Sequence, residues 1–136
     1  MAVFVIDSSI AASWCFKDEA TDYTEGVLNA VSGLREAVAQ RLWAYELRNS
    51  VLMGLRRGRI TKADAEGFLK SLPDPCIRLT DPLSYEGVFT LADRHGLTVY
   101  DAAYLELAIR ETLPLASLDS ALIRAAEKSG VGMFQP

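Results

Sequence analysis

Four carboxylates stand where acid chemistry would need them. Asp7 directly follows the apolar run 3–6, and Asp119 directly follows the run 115–118. Asp101 heads the stripe of Tyr104, Leu105 and Ala108, three, four and seven residues on, so it is aimed with that stripe towards an interior. Glu46 lies within a long amphipathic segment, about 130° from its apolar face, on the side of Asn49, Met53 and Arg57. Asn49, three residues on, is placed to orient the Glu46 carboxylate by hydrogen bonding. Each acid alone has an ordinary use. Aspartate caps helices at a gain of ~1 kcal/mol, Thr98 with Asp101 forms a capping-box-like pair, and glutamate is common on solvated helix faces. If the four converge on one point, they cannot all stay charged without a cation. Oxygen-only donors suit Mg²⁺ or Mn²⁺, and the chemistry that follows is metal-assisted attack of water on a phosphodiester.

The surrounding elements determine whether such convergence is possible. Residues 3–6 form a continuous β-branched and aromatic run, as expected of a strand covered on both faces. Helices are expected over 8–16 and 21–33, with a polar break at 17–20, then a short strand over 37–40. The long helix 41–57 carries Ala44, Leu47, Val51 and Leu55 at helical spacing, and Thr61 with Asp64 starts another. The breaker Leu72-Pro73-Asp74-Pro75 isolates a third strand over 76–79. Asp81-Pro82 supplies a cap and a first-turn proline for a helix closed by Gly96. Thr98 starts a helix reaching about Glu111, and a fourth strand follows over 115–118. A last helix begins at Asp119 or Ser120 and stops near Gly130, with a fifth short strand expected over 131–134. This alternation predicts one α/β domain over 1–136, with a parallel sheet whose carboxyl edge gathers Asp7, Asp101 and Asp119.

With 14 Lys and Arg against 18 Asp and Glu in 136 residues, the net charge of -4 excludes strong nucleic-acid binding by overall charge. Setting the four site acids aside leaves as many carboxylates as basic residues. A local basic run, Arg48, Arg56, Arg57, Arg59 and Lys62, contains no acid between its ends and could meet phosphate or simply be a solvated helix end. Two cysteines, Cys15 and Cys76, make no disulfide framework or metal pair, so a cytoplasmic setting is expected. The apolar start meets Asp7 too soon for a signal peptide or membrane span. No GxSxG, Walker, GxGxxG or HExxH pattern occurs, and the one histidine, His95, sits at a helix end, where its cation suits the dipole.

Four segments together resemble, in order and spacing, the motifs of PIN-domain ribonucleases, and are most similar to the VapC-type toxins. They are Val5-Ile6-Asp7-Ser8-Ser9, Tyr45-Glu46-Leu47-Arg48-Asn49, Val99-Tyr100-Asp101-Ala102-Ala103-Tyr104-Leu105-Glu106-Leu107-Ala108 and Leu115-Ala116-Ser117-Leu118-Asp119-Ser120-Ala121-Leu122. The resemblance implies a three-layer α/β/α fold with a central parallel sheet of four to five strands. It implies that Asp7, Glu46, Asp101 and Asp119 form an acidic site for Mg²⁺ or Mn²⁺, in which Asp7, Asp101 and Asp119 hold the ion directly or through water and Glu46 helps position or deprotonate the attacking water. Ser9, Asn49 and Ser117 match supporting positions. Tyr45, Tyr100 and Tyr104 flank the motifs and could stack on bases or lie in the core. The implied activity is RNA hydrolysis by a homodimeric toxin neutralised by a VapB-type antitoxin. Two readings with the same fold stay open: an RNA-processing nuclease without an antitoxin, and an RNA-binding module without turnover.

Overall fold

The computed structural model describes residues 1–73 and 76–136. Its strands are β1 (Ala2–Ile6), β2 (Glu36–Gln40), β3 (Ile77–Thr80) and β4 (Leu115–Ala116). Its helices are α1 (Ser8–Cys15), α2 (Asp22–Ser32), α3 (Trp43–Arg56), α4 (Lys62–Ser71), α5 (Tyr85–His95), α6 (Val99–Glu111) and α7 (Ser120–Lys128), with a 3₁₀ turn at Lys17–Glu19. The strands form one parallel sheet in the order β3-β2-β1-β4, flanked by the helices in a three-layer α/β/α arrangement. One group of contacting helices is α1 to α4, the other α5 to α7.

The central strands are buried on both faces, which explains their unbroken apolar runs. Phe4, Val5, Ile6, Ala37, Val38, Ala39, Leu115 and Ala116 are all fully buried. The chain leaves β1 towards β2 and later returns to place β4 on the other side of β1. The order therefore reverses between β1 and β4, and the carboxyl ends of those two strands form the crevice where such sheets bind ligands. Register sharpens the placement. Val5 pairs with Val38 and Ile6 with Ala116, so Asp7 leaves the sheet between Gln40 and Ser117.

Several boundaries differ from expectation for identifiable reasons. Helix α5 starts at Tyr85, capped by the Ser84 side chain, which accepts from the Gly87 amide at 3.0 Å. Asp81 cannot cap it because its carboxylate is bound by Arg41 through two bonds of 3.0 Å, and its carbonyl accepts from Arg110. Strand β3 lies one residue later than expected, and β4 keeps two residues because Ser117 turns towards β1. Only Met133 of the expected fifth strand bridges to Leu115, although Phe134 stacks on Phe4 with centroids 3.9 Å apart. Of the Leu72 to Pro75 breaker, Asp74 and Pro75 lie outside the described residues. Gly96, in the left-handed conformation with φ 64, closes α5 as expected.

Helices α1 and α3 approach closely through a glycine. A Cβ at Gly54 would stand 2.4 Å from the Phe16 ring, so only glycine admits that ring against α3. The Arg59 guanidinium lies 4.2 Å from the same ring's centroid. No helix among the described residues is long and apolar enough to cross a membrane.

Candidate active site

Asp7 is the most buried of the four acids, 3% exposed at the end of β1. Its Oδ1 accepts from the Ser9 hydroxyl at 2.5 Å and from the Ser9 and Ile10 amides at 3.1 and 3.4 Å, which caps α1. Its Oδ2 accepts a short bond from the Ser117 hydroxyl. The two serines also receive bonds, Ser9 Oγ from the Leu118 amide and Ser117 Oγ from the Asp119 amide, each at 3.0 Å. Thus Ser9 and Ser117, the supporting positions implied by the resemblance, lock the β1 and β4 ends into one network. Asp119, half-buried, caps α7 by accepting from the Ala121 and Leu122 amides at 2.9 and 3.0 Å. At both aspartates the cap coexists with a place at the same carboxyl edge of the sheet.

Asp101 sits in the first turn of α6, half-buried, with its amide bonded to the Thr98 hydroxyl at 3.1 Å. Tyr104 follows on the same face one turn later, and its hydroxyl donates to Glu46 Oε1 at 2.6 Å. Gln40 Nε2 donates to that same oxygen at 3.2 Å. These two partners were missed as site residues, although a polar side chain ending the apolar strand β2, level with Asp7, was the available signal for Gln40. Asn49 is exposed, and among the described hydrogen bonds to Glu46 none comes from it.

The electrostatics link the acids. Burial pushes the Asp7 carboxyl up to about 6, against the opposing bonds from Ser117 and Ser9, and Asp101 adds to the rise. Burial also raises Asp101, with the Asp119 charge adding to it. Glu46 is raised by burial and by Asp101, opposed by the bonds from Tyr104 and Gln40. The Tyr104 phenol is pushed upward by burial and then by Glu46, so it stays a donor. Among the described residues, no three acidic, histidine or cysteine side chains are arranged to hold a metal ion outright. The fit to a metal therefore rests on the donor set. Mutually repelling carboxylates with serine hydroxyls, and no thiol or imidazole, suit a hard divalent cation.

The basic run divides into two kinds. Arg59 is bound to Asp18 and Glu19 at 3.1 and 2.8 Å. Arg48, Arg56, Arg57 and Lys62 are exposed and take part in no ion pair among the described residues; Arg48 donates to its own helix at the Ala44 carbonyl. Asn49, Met53, Arg57 and Arg59 line a cavity of about 310 Å³ between α3 and the Phe16 to Glu19 segment. Tyr45 and Tyr100 are exposed beside the acids, whereas Tyr104 is buried and cannot stack on a base.

No family model matches the chain. The chain is 34% identical over 122 residues to Ribonuclease VapC3 of Pyrobaculum aerophilum, covering 87% of this chain and 90% of that protein. Two solved structures share its fold. PAE2754 from Pyrobaculum aerophilum matches with a TM-score of 0.72 at 22% identity, over 91% of this chain and 84% of that one. FitAcB from Neisseria gonorrhoeae matches with a TM-score of 0.66 at 16% identity, over 98% of both chains.

Proposed function

The chain belongs to the VapC-type PIN-domain ribonucleases, and from that membership we propose that it is a Mg²⁺- or Mn²⁺-dependent endoribonuclease acting as a growth-inhibiting toxin. The observation that carries this reading is the linked array of acids at the β1–β4 crevice. Asp101 adds to the raised pKa of Asp7 and of Glu46, both first lifted by burial, and Asp119 does the same to Asp101. A protein does not gain stability from such an arrangement, because each buried anion raises the cost of the others. A cation that binds there removes the repulsion, and the cost is explained by the function it serves.

In this reading Asp7, Asp101 and Asp119 would hold the ion directly or through water, with Glu46 completing the acidic set around it. When bound, it supplies Lewis-acid stabilisation of negative charge on a scissile phosphate. Ser9 and Ser117 keep the Asp7 carboxylate fixed in one orientation, which spares reorganisation when substrate arrives. Glu46 orients the attacking water and takes its proton, helped by a carboxyl pKa raised towards the working pH. Arg48, Arg56, Arg57 and Lys62 meet backbone phosphates, while Tyr45 and Tyr100 offer faces to bases. The same membership carries the other parts of the proposal: action in the cytoplasm, a homodimer, and neutralisation by a VapB-type antitoxin that binds over the acidic site.

Expression in cells tests the reading. The wild-type chain should arrest growth, relieved by its cognate antitoxin, and Asp7→Asn should abolish the arrest while the purified variant keeps its cooperative unfolding. Undiminished arrest by a folded Asp7→Asn protein would remove Asp7 from the site.

A further inference from the structure

Glu46 is held by an unequal arrangement of its two oxygens. Oε1 accepts from the Tyr104 hydroxyl at 2.6 Å and from Gln40 Nε2 at 3.2 Å. Among the described hydrogen bonds none goes to Oε2. The donors come from different layers of the fold. Tyr104 lies on α6, one turn beyond Asp101 and 58 residues from Glu46, and is 1% exposed. Gln40 ends β2 and is 6% exposed. Its amide cannot turn round without loss, because Gln40 Oε1 accepts from the Leu42 amide at 2.8 Å, where α3 begins. Leu42 in turn gives its carbonyl to the Glu46 amide at 2.8 Å. Strand β2, the start of α3 and the Glu46 carboxylate thus form one closed loop of bonds, and Tyr104 fastens it to the helix that carries Asp101.

From this geometry, and resting on the nuclease reading above, we infer that Tyr104 and Gln40 are positioning residues that hold Glu46 by Oε1, so that only Oε2 acts on the attacking water. A free glutamate on a helix explores several rotamers, and proton transfer needs an oxygen within hydrogen-bond reach of the water. Two donors on one oxygen remove that freedom and leave the second oxygen presented. The phenol suits the task because it is buried and neutral, so it anchors the carboxylate without neutralising it. A lysine in the same place would form an ion pair and compete with the metal for the acid.

Tyr104→Phe deletes the hydroxyl and keeps the ring in its packing. Steady-state RNA cleavage and calorimetric Mn²⁺ binding on the full chain, for the wild type, Tyr104→Phe, Glu46→Gln and the double variant, test the role. Tyr104→Phe should lower kcat about tenfold and leave KM within about twofold, because a lost bond to a charged group acts on the chemical step. Added to Glu46→Gln, it should lower kcat no further, since the hydroxyl works through that carboxylate. Gln40→Leu should repeat the pattern with a smaller loss, which covers the case of a Tyr104→Phe protein that fails to fold. Wild-type kcat in both variants, or losses that multiply in the double variant, would overturn the inference. A wild-type chain that cleaves no RNA would instead overturn the nuclease reading, and Mn²⁺ binding then decides the clamp. Weakening of severalfold by Tyr104→Phe only when Glu46 is present supports it, and equal affinity in all four proteins overturns it.

Discussion

At the scale of residues, Asp7 concentrates the conflict between stability and the proposed function. It is buried, accepts four bonds through its two oxygens, and still has its carboxyl raised from 3.8 to about 6. That displacement corresponds to roughly 3 kcal/mol. Because the folded-state pKa lies above the unfolded one, the folded state holds the proton more tightly. The associated stability is fully present below about pH 4 and is lost as pH rises through about 6. Asp101 and Glu46 are raised too and act in the same direction. Urea unfolding in a chelator should therefore show this contribution falling between pH 4 and pH 7, and Asp7→Asn should flatten the fall and be the more stable protein at pH 8. A steeper loss in Asp7→Asn than in the wild type would contradict the burial argument. Asp7, Asp101 and Asp119 were legible as candidates in the sequence because each follows a strand or heads a helix stripe, whereas Glu46 stood out only by its place off the apolar face of a long helix. Gln40 and Tyr104 were not, since an aromatic on a buried stripe reads as core, and a contact across 58 residues leaves no local pattern.

At the scale of elements, legibility followed how strongly local chemistry outweighed tertiary demands. Strand β1 and helices α3 and α6 have the expected places because their apolar patterns and the Thr98 cap agree with their burial. The start of α5 was misread because two residue pairs compete for one role. Asp81 looks like a cap, but Arg41, distant in sequence, takes its carboxylate, and the cap falls three residues later, on Ser84, with the helix beginning at Tyr85. Ser84→Ala should cost ~1 kcal/mol in urea unfolding through the lost cap. Asp81→Ala should leave α5 capped, with amide exchange in its first turn unchanged. The reverse ranking of first-turn protection would restore the sequence-based boundary. The fifth strand was overestimated for a similar reason, since glycines at 130 and 132 break the segment that its apolar residues suggest.

At the scale of the whole molecule, the strand order brings chemistry from four separate segments to one edge. The reversal between β1 and β4 opens the crevice, β1 delivers Asp7, β4 delivers Ser117 and Asp119, and α3 and α6 deliver Glu46 and Asp101. The overall charge of -4 takes on a different meaning in that setting, because part of the acidity is gathered at the edge proposed to hold a cation, while exposed arginines extend along α3 to its end. In the proposed reading the two features divide the work between metal and RNA backbone. The most direct measurement is cleavage of single-stranded RNA by the purified protein with Mn²⁺, with excess chelator, and with Asp101→Asn in place of the wild type. Cleavage should require Mn²⁺ and fall at least about a hundredfold in Asp101→Asn, the scale expected when a group central to charge stabilisation is lost. Cleavage that survives the chelator, or that proceeds equally in Asp101→Asn, would contradict a metal-dependent site at this edge.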